Sequence, residues 1–441
     1  MPDYLPRLVD ETLARLLTQL PAIVLIGPRA SGKTTTAMRH AASVVHLDRP
    51  AEAVAFRADP DAALGELAEP VLIDEWQVVP EVMGAIKRAV DRSPRRGRFL
   101  VTGSVRSELE PQMWPATGRI VRLRMGPLTV AERRTLDVRP LVDRVVAGAP
   151  LEPATPAPSL PQYLDLALAS GFPDAATAPT SDARRRWLES YVEQILTHDA
   201  VAVEGGRDPA RLRRFFEAYA LNTAGVVTDR TLLEAAGVDR RTGVAYERLL
   251  EELLVVDPLP SWSTNRLKRL VQSPKRHLVD PGLLVGALGV DRAAVMREGD
   301  LLGRVLETFV TMHLRAESVV SETRPRLYHL RTEQGRQEVD IIAEFGAGSI
   351  IAFEVKADAA PDAHAARHLA WLRDRLGKRF VAGIVLHTGP SSFTIGDRLF
   401  AAPISTLWAA SREARSARMR RMKRMKPTNR RTSPSSTSIS K

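Results

Sequence analysis

The sequence predicts an α/β protein of several units: a parallel-sheet unit first, a helical region of winged-helix type in the middle, and a second α/β unit last. Three observations carry this reading. Over the first 135 residues short apolar runs alternate with helical periodicities. From Tyr163 to about Leu284 the periodicity is mainly helical, and from Glu298 to Ala410 strand and helix patterns alternate again. The length of 441 residues agrees, because single domains usually run to about 100–200 residues.

The elements follow in order. Leu8 to Leu20 reads as an amphipathic helix, AIVLIG as a buried strand, KTTTAMRHAA as a helix, and SVVHLD and PVLIDE as strands. EVMGAIKRAVDR then reads as a helix and RFLVTGS as a strand. Strands that alternate with helices imply a parallel sheet covered on both faces. The Pro-rich stretch APLEPATPAPSLPQ suits a linker over 136–162. In the middle, 163–290, LESYVEQILTHDA and RLRRFFEAYALNTAG are the clearest amphipathic helices. TDRTLLEAAGVDRRTGVAYERLLEELLVVDPL has the order helix, Gly-containing turn, helix, strand, the outline of a winged helix-turn-helix. In the last unit, 298–410, the helix GRVLETFVTMHLRAES leads into strands RLYHLR, QEVDIIAEF and SIIAFEVK, the helix HAARHLAWLRDRLG and the strand FVAGIVLHT.

The composition, 44% hydrophobic and 26% charged, is that of a globular protein. No cysteine occurs, which excludes disulfides, thiolate metal sites and a cysteine nucleophile and fits a cytoplasmic setting. Charges interrupt each apolar stretch of the first 27 residues, so that segment reads as neither signal peptide nor membrane span. The net charge of +11 is concentrated in 411–441, where eleven Lys/Arg stand against one acid, Glu413. Such a tail binds phosphate backbones without sequence preference; a disordered extension with no partner is the alternative.

GPRASGKT matches G-x-x-x-x-G-K-[ST] between a predicted strand and a predicted helix. The candidates for nucleotide contact are Gly27, Pro28, Arg29, Ala30, Ser31, Gly32, Lys33, Thr34 and Thr35. Glycines let backbone N–H groups turn inward around phosphates. Lys33 would reach the β- and γ-phosphates of ATP, and Thr34 would give its hydroxyl to Mg²⁺. The expected fold of this unit is therefore that of a P-loop NTPase. Forty residues on, VLIDEWQ places Asp74 and Glu75 at the C-terminal end of a buried strand, the edge where ligands sit in open α/β sheets. Asp74 is expected in the Mg²⁺ shell and Glu75 beside the attacking water. Thr102, Gly103 and Ser104, at the end of RFLVTGS, either orient that water or form a structural turn. Arg106 and Arg119 are candidates for sensing the γ-phosphate, in cis or across the boundary of a homo-oligomer; a solvated arginine is the alternative.

With those residues in view, the run YLPRLVDETL, IVLIGPRASGKTTT, VVHLDRP, LIDEWQ, FLVTGS and GRIVRLRMGPLTVAER resembles a bacterial and archaeal branch of the AAA+ ATPases that carries a C-terminal domain of unknown function. GFPD at 171–174, SYVEQILTHD at 190–199 and QSPKRHLVDPGLL at 272–284 continue the likeness. The resemblance implies an ATPase joined to a winged helix and a restriction-endonuclease-like fold.

Residues i and i+2 of a strand face the same way, so Glu354 and Lys356 of FEVK project together, with Asp340 on the neighbouring strand of a hairpin. Two carboxylates and a lysine so arranged match the PD-(D/E)XK nuclease plan. Asp340 and Glu354 would bind Mg²⁺, Lys356 would position water, and Glu307 on the preceding helix would add a carboxylate. A hairpin with solvated charges is the competing reading. Arg240 and Arg241, near the start of the second winged-helix helix, suit DNA phosphates or a protein docking surface equally. His364 and His368, four apart on a predicted helix, lack a third ligand. The expectation is an ATPase whose nucleotide state controls DNA binding and metal-dependent cleavage, or a protein-interaction switch with an inert nuclease-like domain.

Overall fold

A computed structural model describes residues 4–103, 118–200, 208–225, 229–332 and 336–409. The first unit is built on five parallel strands: β1 (Ala22–Ile26), β2 (Ser43–His46), β3 (Val71–Asp74), β4 (Phe99–Gly103) and β5 (Ile120–Arg124). Their order across the sheet is β2-β3-β4-β1-β5. β1, β3 and β4 are apolar on both faces because helices cover both, which is why they read as continuous apolar runs. One face packs Val24, Ile73 and Val101 under the helix Glu81–Arg92. The other packs Ile23, Leu25, Leu72 and Leu100 under the helix Val9–Leu17, whose Val9, Leu13 and Leu17 recur at helical spacing. β1 and β3 are not neighbours; β4 lies between them, so its C-terminal end joins theirs at one edge.

The middle is helical as expected, with Ser181–Gln194, Pro209–Leu221, Asp229–Ala236 and Arg240–Glu252 as its main helices. Gly237, at φ +64°, makes the turn between the last two. After them Val256 and Leu259 pair antiparallel with Leu278 and Lys275. The segment expected to be a Pro-rich linker, 136–162, has structure of its own before its run of prolines. It carries the helix Leu141–Val146, with Leu141 and Val142 buried. Asp143 caps the chain at Ser321–Thr323 through hydrogen bonds of 2.6–3.2 Å.

The last unit has six strands: β6 (Arg326–Arg331), β7 (Glu338–Phe345), β8 (Ser349–Val355), β9 (Phe380–His387), β10 (Phe393–Gly396) and β11 (Leu399–Pro403). The order β10-β11-β9-β8-β7-β6 mixes antiparallel and parallel pairs. The helix Gly299–Val320, 22 residues and about 33 Å long, packs on this sheet and also into the middle unit. A single apolar core runs from Val130 to Trp408 through both. The sequence boundary near 290–298 is thus a change of pattern and not of core. The helix at the second face of the sheet spans Arg367–Leu376, so His368 is on it but His364 precedes it, contrary to the expected helical pair. His368 Nδ1 contacts the Glu338 backbone instead.

Glu317 of the long helix accepts the Leu141 backbone N–H at 2.7 Å. Burial pushes its carboxyl up from 4.5 to about 7, with Arg144 opposing. A carboxyl whose folded pKa is raised contributes stability that is complete below its unfolded value and is lost as pH rises through about 7. Thermal melts from about pH 5.5 to about 8.5 should therefore show the Glu317→Gln chain gaining on the parent by about 1–3 kcal/mol at the upper end. Parallel melting curves across the interval would contradict this account of Glu317.

Candidate functional site

The phosphate loop leaves β1 at Gly27 and enters the helix Lys33–Met38 through Gly32, which sits at φ +90°. A Cβ on Gly27 would lie 1.9 Å from the Met125 carbonyl oxygen, so the loop closes against the next strand only because that position is glycine. Lys33 is buried and its Nζ donates to the Pro28 carbonyl at 2.8 Å. Burial lowers its pKa to about 8, against the pull of Glu75 and Asp74. The Ser31 hydroxyl is buried and lacks a hydrogen-bond partner among the described residues.

Asp74 ends β3 directly beside the loop. Its Oδ1 accepts from Thr34 Oγ1 at 2.7 Å and from Thr102 Oγ1, and its Oδ2 lies 3.0 Å from His46 Nδ1. Strand ends β2, β3 and β4 thus converge on one carboxylate. Glu75 follows in left-handed backbone, φ +53°, and takes a hydrogen bond from the Gln77 side chain. A non-glycine residue held there costs about 1 kcal/mol or more. Ser104 and Arg106 lie outside the described residues. Arg119 precedes β5 at the sheet edge opposite the loop, since Ile120 pairs with Ala22 at the start of β1 and Arg124 with Ile26 at its end. It is paired with Asp91 at 2.7 Å and does not reach the nucleotide site of its own chain.

Three residues at this site had no role assigned from the sequence, although each lies in a stretch that carries the family likeness. Arg7 reaches across from the N-terminal segment: Nη1 donates to the Ser31 carbonyl at 2.7 Å, and Nε pairs with buried Glu132 at 2.9 Å. Tyr191 of the middle unit donates its hydroxyl to the Arg29 carbonyl at 3.1 Å, and its ring lies within 4.7 Å of Phe172 and 5.1 Å of Trp187. His46 is the third. Gly171, of the GFPD stretch, accepts the Leu128 N–H at 2.6 Å, so the middle unit is moored beside the loop.

The second constellation also assembles. Asp340 and Glu354 are neighbours across the β7–β8 ladder, with Asp340 Oδ2 accepting the Val355 N–H at 3.0 Å. Lys356 lies one residue past β8, its N–H continues the ladder to Leu386, and its Nζ meets Glu354 at 2.9 Å. Glu307 faces them from the long helix. A residue with no assigned role joins them: Lys275, of the QSPKRHLVDPGLL stretch, places its fully buried Nζ 2.6 Å from Glu307, 3.1 Å from Asp340 and 3.6 Å from Glu338. Burial pushes the Glu354 carboxyl up to about 8 and that of Glu307 well up, whereas the two lysines hold Asp340 below the usual carboxylate range despite its burial. No group of three or more His, Cys, Asp or Glu among the described residues is arranged to hold a metal ion.

The parallel sheet, the phosphate loop and the paired Thr34 and Asp74 define a class. Residues 19–133 match the family of AAA domains, 160–294 a domain of unknown function (DUF8612), and 302–407 another (DUF4143). The chain thus carries an AAA-type domain over 19–133 and a DUF4143 domain over 302–407. It is 28% identical over 397 residues to "Uncharacterized protein Rv2008c" of Mycobacterium tuberculosis and equally to "Uncharacterized protein Mb2031c" of Mycobacterium bovis, covering 89% of this chain and 82% of each relative. Among solved structures, the Walker-type ATPase PABY2304 of Pyrococcus abyssi aligns with 14% identity over 63% of this chain and 94% of its own, at a TM-score of 0.37. The McrB AAA+ hexamer assembly with bound McrC from Thermococcus gammatolerans aligns with 13% identity over 69% and 80%, at 0.22. No described helix is long and apolar enough to cross a membrane.

The glycine requirement gives a direct check on the loop geometry. Gly27→Ala should lower the melting temperature by several degrees and remove nucleotide binding, because the overlap with Met125 forces loop and strand apart. Unchanged nucleotide affinity in that variant would mean the loop closes in another way.

Proposed function

We propose that the chain is an Mg²⁺-dependent ATPase whose nucleotide state sets how its middle and C-terminal units engage DNA, by binding and not by cleavage. The observation that carries the ATPase reading is the 2.7 Å contact between Thr34 and Asp74, a hydroxyl and a carboxylate poised at the mouth of a phosphate loop. They fit a divalent ion: Thr34 and Asp74 would hold Mg²⁺, which when bound offsets the charge of the phosphates.

The chain's own residues then divide the work. Lys33, now folded onto the Pro28 carbonyl, would turn to the β- and γ-phosphates, which offer the buried ammonium an anionic partner. The unpartnered Ser31 hydroxyl and the loop N–H groups would complete the cradle. Glu75 would orient the attacking water and accept its proton as the water oxygen bonds to the γ-phosphorus and the bridging oxygen leaves. Thr102 would keep Asp74 fixed meanwhile.

Transmission to the rest of the chain is argued from what touches the loop. Tyr191 binds the Arg29 carbonyl, and its helix Ser181–Gln194 packs on the helix Leu283–Leu288, which in turn meets Pro209–Leu221. That last helix packs against Asp229–Ala236 and Arg240–Glu252. Arg240 and Arg241 stand exposed in the first turn of the latter, available to phosphates. The basic segment 411–441, outside the described residues, would add sequence-independent attraction.

Two measurements test this. Lys33→Ala should lose ATP turnover, while Glu75→Gln should still bind ATP and hydrolyse it about 10²–10³-fold more slowly; full turnover in the glutamine variant would remove Glu75 from the base role. For DNA, Arg240→Ala with Arg241→Ala should reduce the log–log salt slope of binding by about 2. An unaltered slope would assign that helix to a protein partner instead.

A further inference from the structure

The C-terminal unit raises a separate question: what neutralises four carboxylates gathered in one largely buried place? Glu307 and Glu354 are buried, Asp340 has a side chain only 13% exposed, and Glu338 lines the edge. In the nuclease plan the answer is a divalent metal. Here two ammonium groups, Lys275 and Lys356, already stand among them. We propose that Lys275 is the resident cation of this cluster, occupying the place of the metal, so that the C-terminal unit holds no divalent ion at Glu307, Asp340 and Glu354.

The distances argue for it. A divalent ion needs carboxylate oxygens at about 2.0–2.6 Å, and the space between Glu307 Oε1 and Asp340 Oδ1 is filled by a nitrogen 2.6 and 3.1 Å away. A second positive charge there would sit almost in contact with the first, in surroundings where water screens little. Lys275 is 2% exposed, and its main chain is fixed by reciprocal hydrogen bonds with Leu259 at 2.7 and 2.9 Å. Withdrawing the ammonium would leave buried carboxylates unpaired.

Two further carboxylate oxygens are also taken, while Glu354 Oε1 is buried without a hydrogen-bond partner among the described residues. Asp340 Oδ2 is bound to the Val355 N–H and Glu354 Oε2 to Lys356. His277 lies 3.7 Å from Glu307, fully buried, its imidazole held neutral by burial and by Arg315 and Lys275. Lys275 faces Glu307, Asp340 and Glu338 and Lys356 faces Glu354, so each of the four carboxylates has an ammonium within 3.6 Å. Lys275 comes from the 160–294 region and its acceptors from the 302–407 region and its flanking helix, so the same ion pairs that exclude a metal also fasten the two regions together.

The test is Mn²⁺ binding followed by electron paramagnetic resonance on the full chain, nucleotide-free, carrying Thr34→Ala to silence the phosphate loop. With Lys275 intact, no Mn²⁺ site tighter than about 1 mM is expected, and adding Asp340→Asn should change nothing. Lys275→Met, which keeps length and removes charge, should create one site at least about tenfold tighter, abolished again by Asp340→Asn. A stoichiometric Mn²⁺ site in the Lys275 chain that Asp340→Asn removes would overturn the proposal, and that comparison stands even if Lys275→Met does not fold. A folded Lys275→Met chain without Mn²⁺ affinity would show that ammonium and metal do not share a place. Neither result depends on ATP hydrolysis, so failure here leaves the ATPase reading untouched.

Discussion

The helix Gly299–Val320 is the constraint on which the arrangement of the units depends. It is buried on almost every side, so each polar side chain it carries must find a partner inside the protein or destabilise it by about 1–3 kcal/mol. The partners come from everywhere else. Glu307 takes the Lys275 ammonium, Thr308 bonds Thr223 at 2.9 Å, and Glu317 receives the Leu141 N–H. His313 donates through Nδ1 to the Phe309 carbonyl and accepts the Val130 N–H at Nε2, which fixes its tautomer; burial keeps it neutral by lowering its pKa to about 4. One helix thereby sets the positions of the first unit's exit, the connecting segment, the middle unit and the last sheet.

That arrangement explains why sequence patterns located the elements better than the joints between them. Periodicity found the strands β1, β3, β4, β7, β8 and β9 because each is an apolar run bounded by polar turns. It found Asp74 and Lys33 because a phosphate loop compresses its chemistry into eight consecutive residues. Arg7, Tyr191 and Lys275 escaped because their partners are 24, 162 and 65 positions away, and an isolated charged or aromatic residue looks the same in sequence whether it faces water or an ion pair. The Pro-rich stretch 136–162 reads as a linker for a related reason. Proline and glycine mark where regular structure stops, not whether the chain is free, and here Asp143 and Leu141 fasten it. Arg119 precedes a parallel strand, and only residues that follow such strands reach the ligand edge of their own chain, which leaves the reading across a subunit boundary or that of a solvated arginine.

The two carboxylate sites show opposite solutions to one electrostatic problem. Asp74 is held by Thr34, Thr102 and His46, two neutral hydroxyls and an imidazole whose hydrogen bonds can be surrendered to a cation without leaving a buried charge behind. Asp340 is held by an ammonium and a strand N–H. Surrendering those would strand a buried positive charge and leave the Val355 N–H unpaired, a cost on the order of several kcal/mol per ion before any metal was bound. The first arrangement suits a site that must load and unload in each cycle. The second suits a joint that stays closed, since Lys275 of the middle unit is held by carboxylates of the last one.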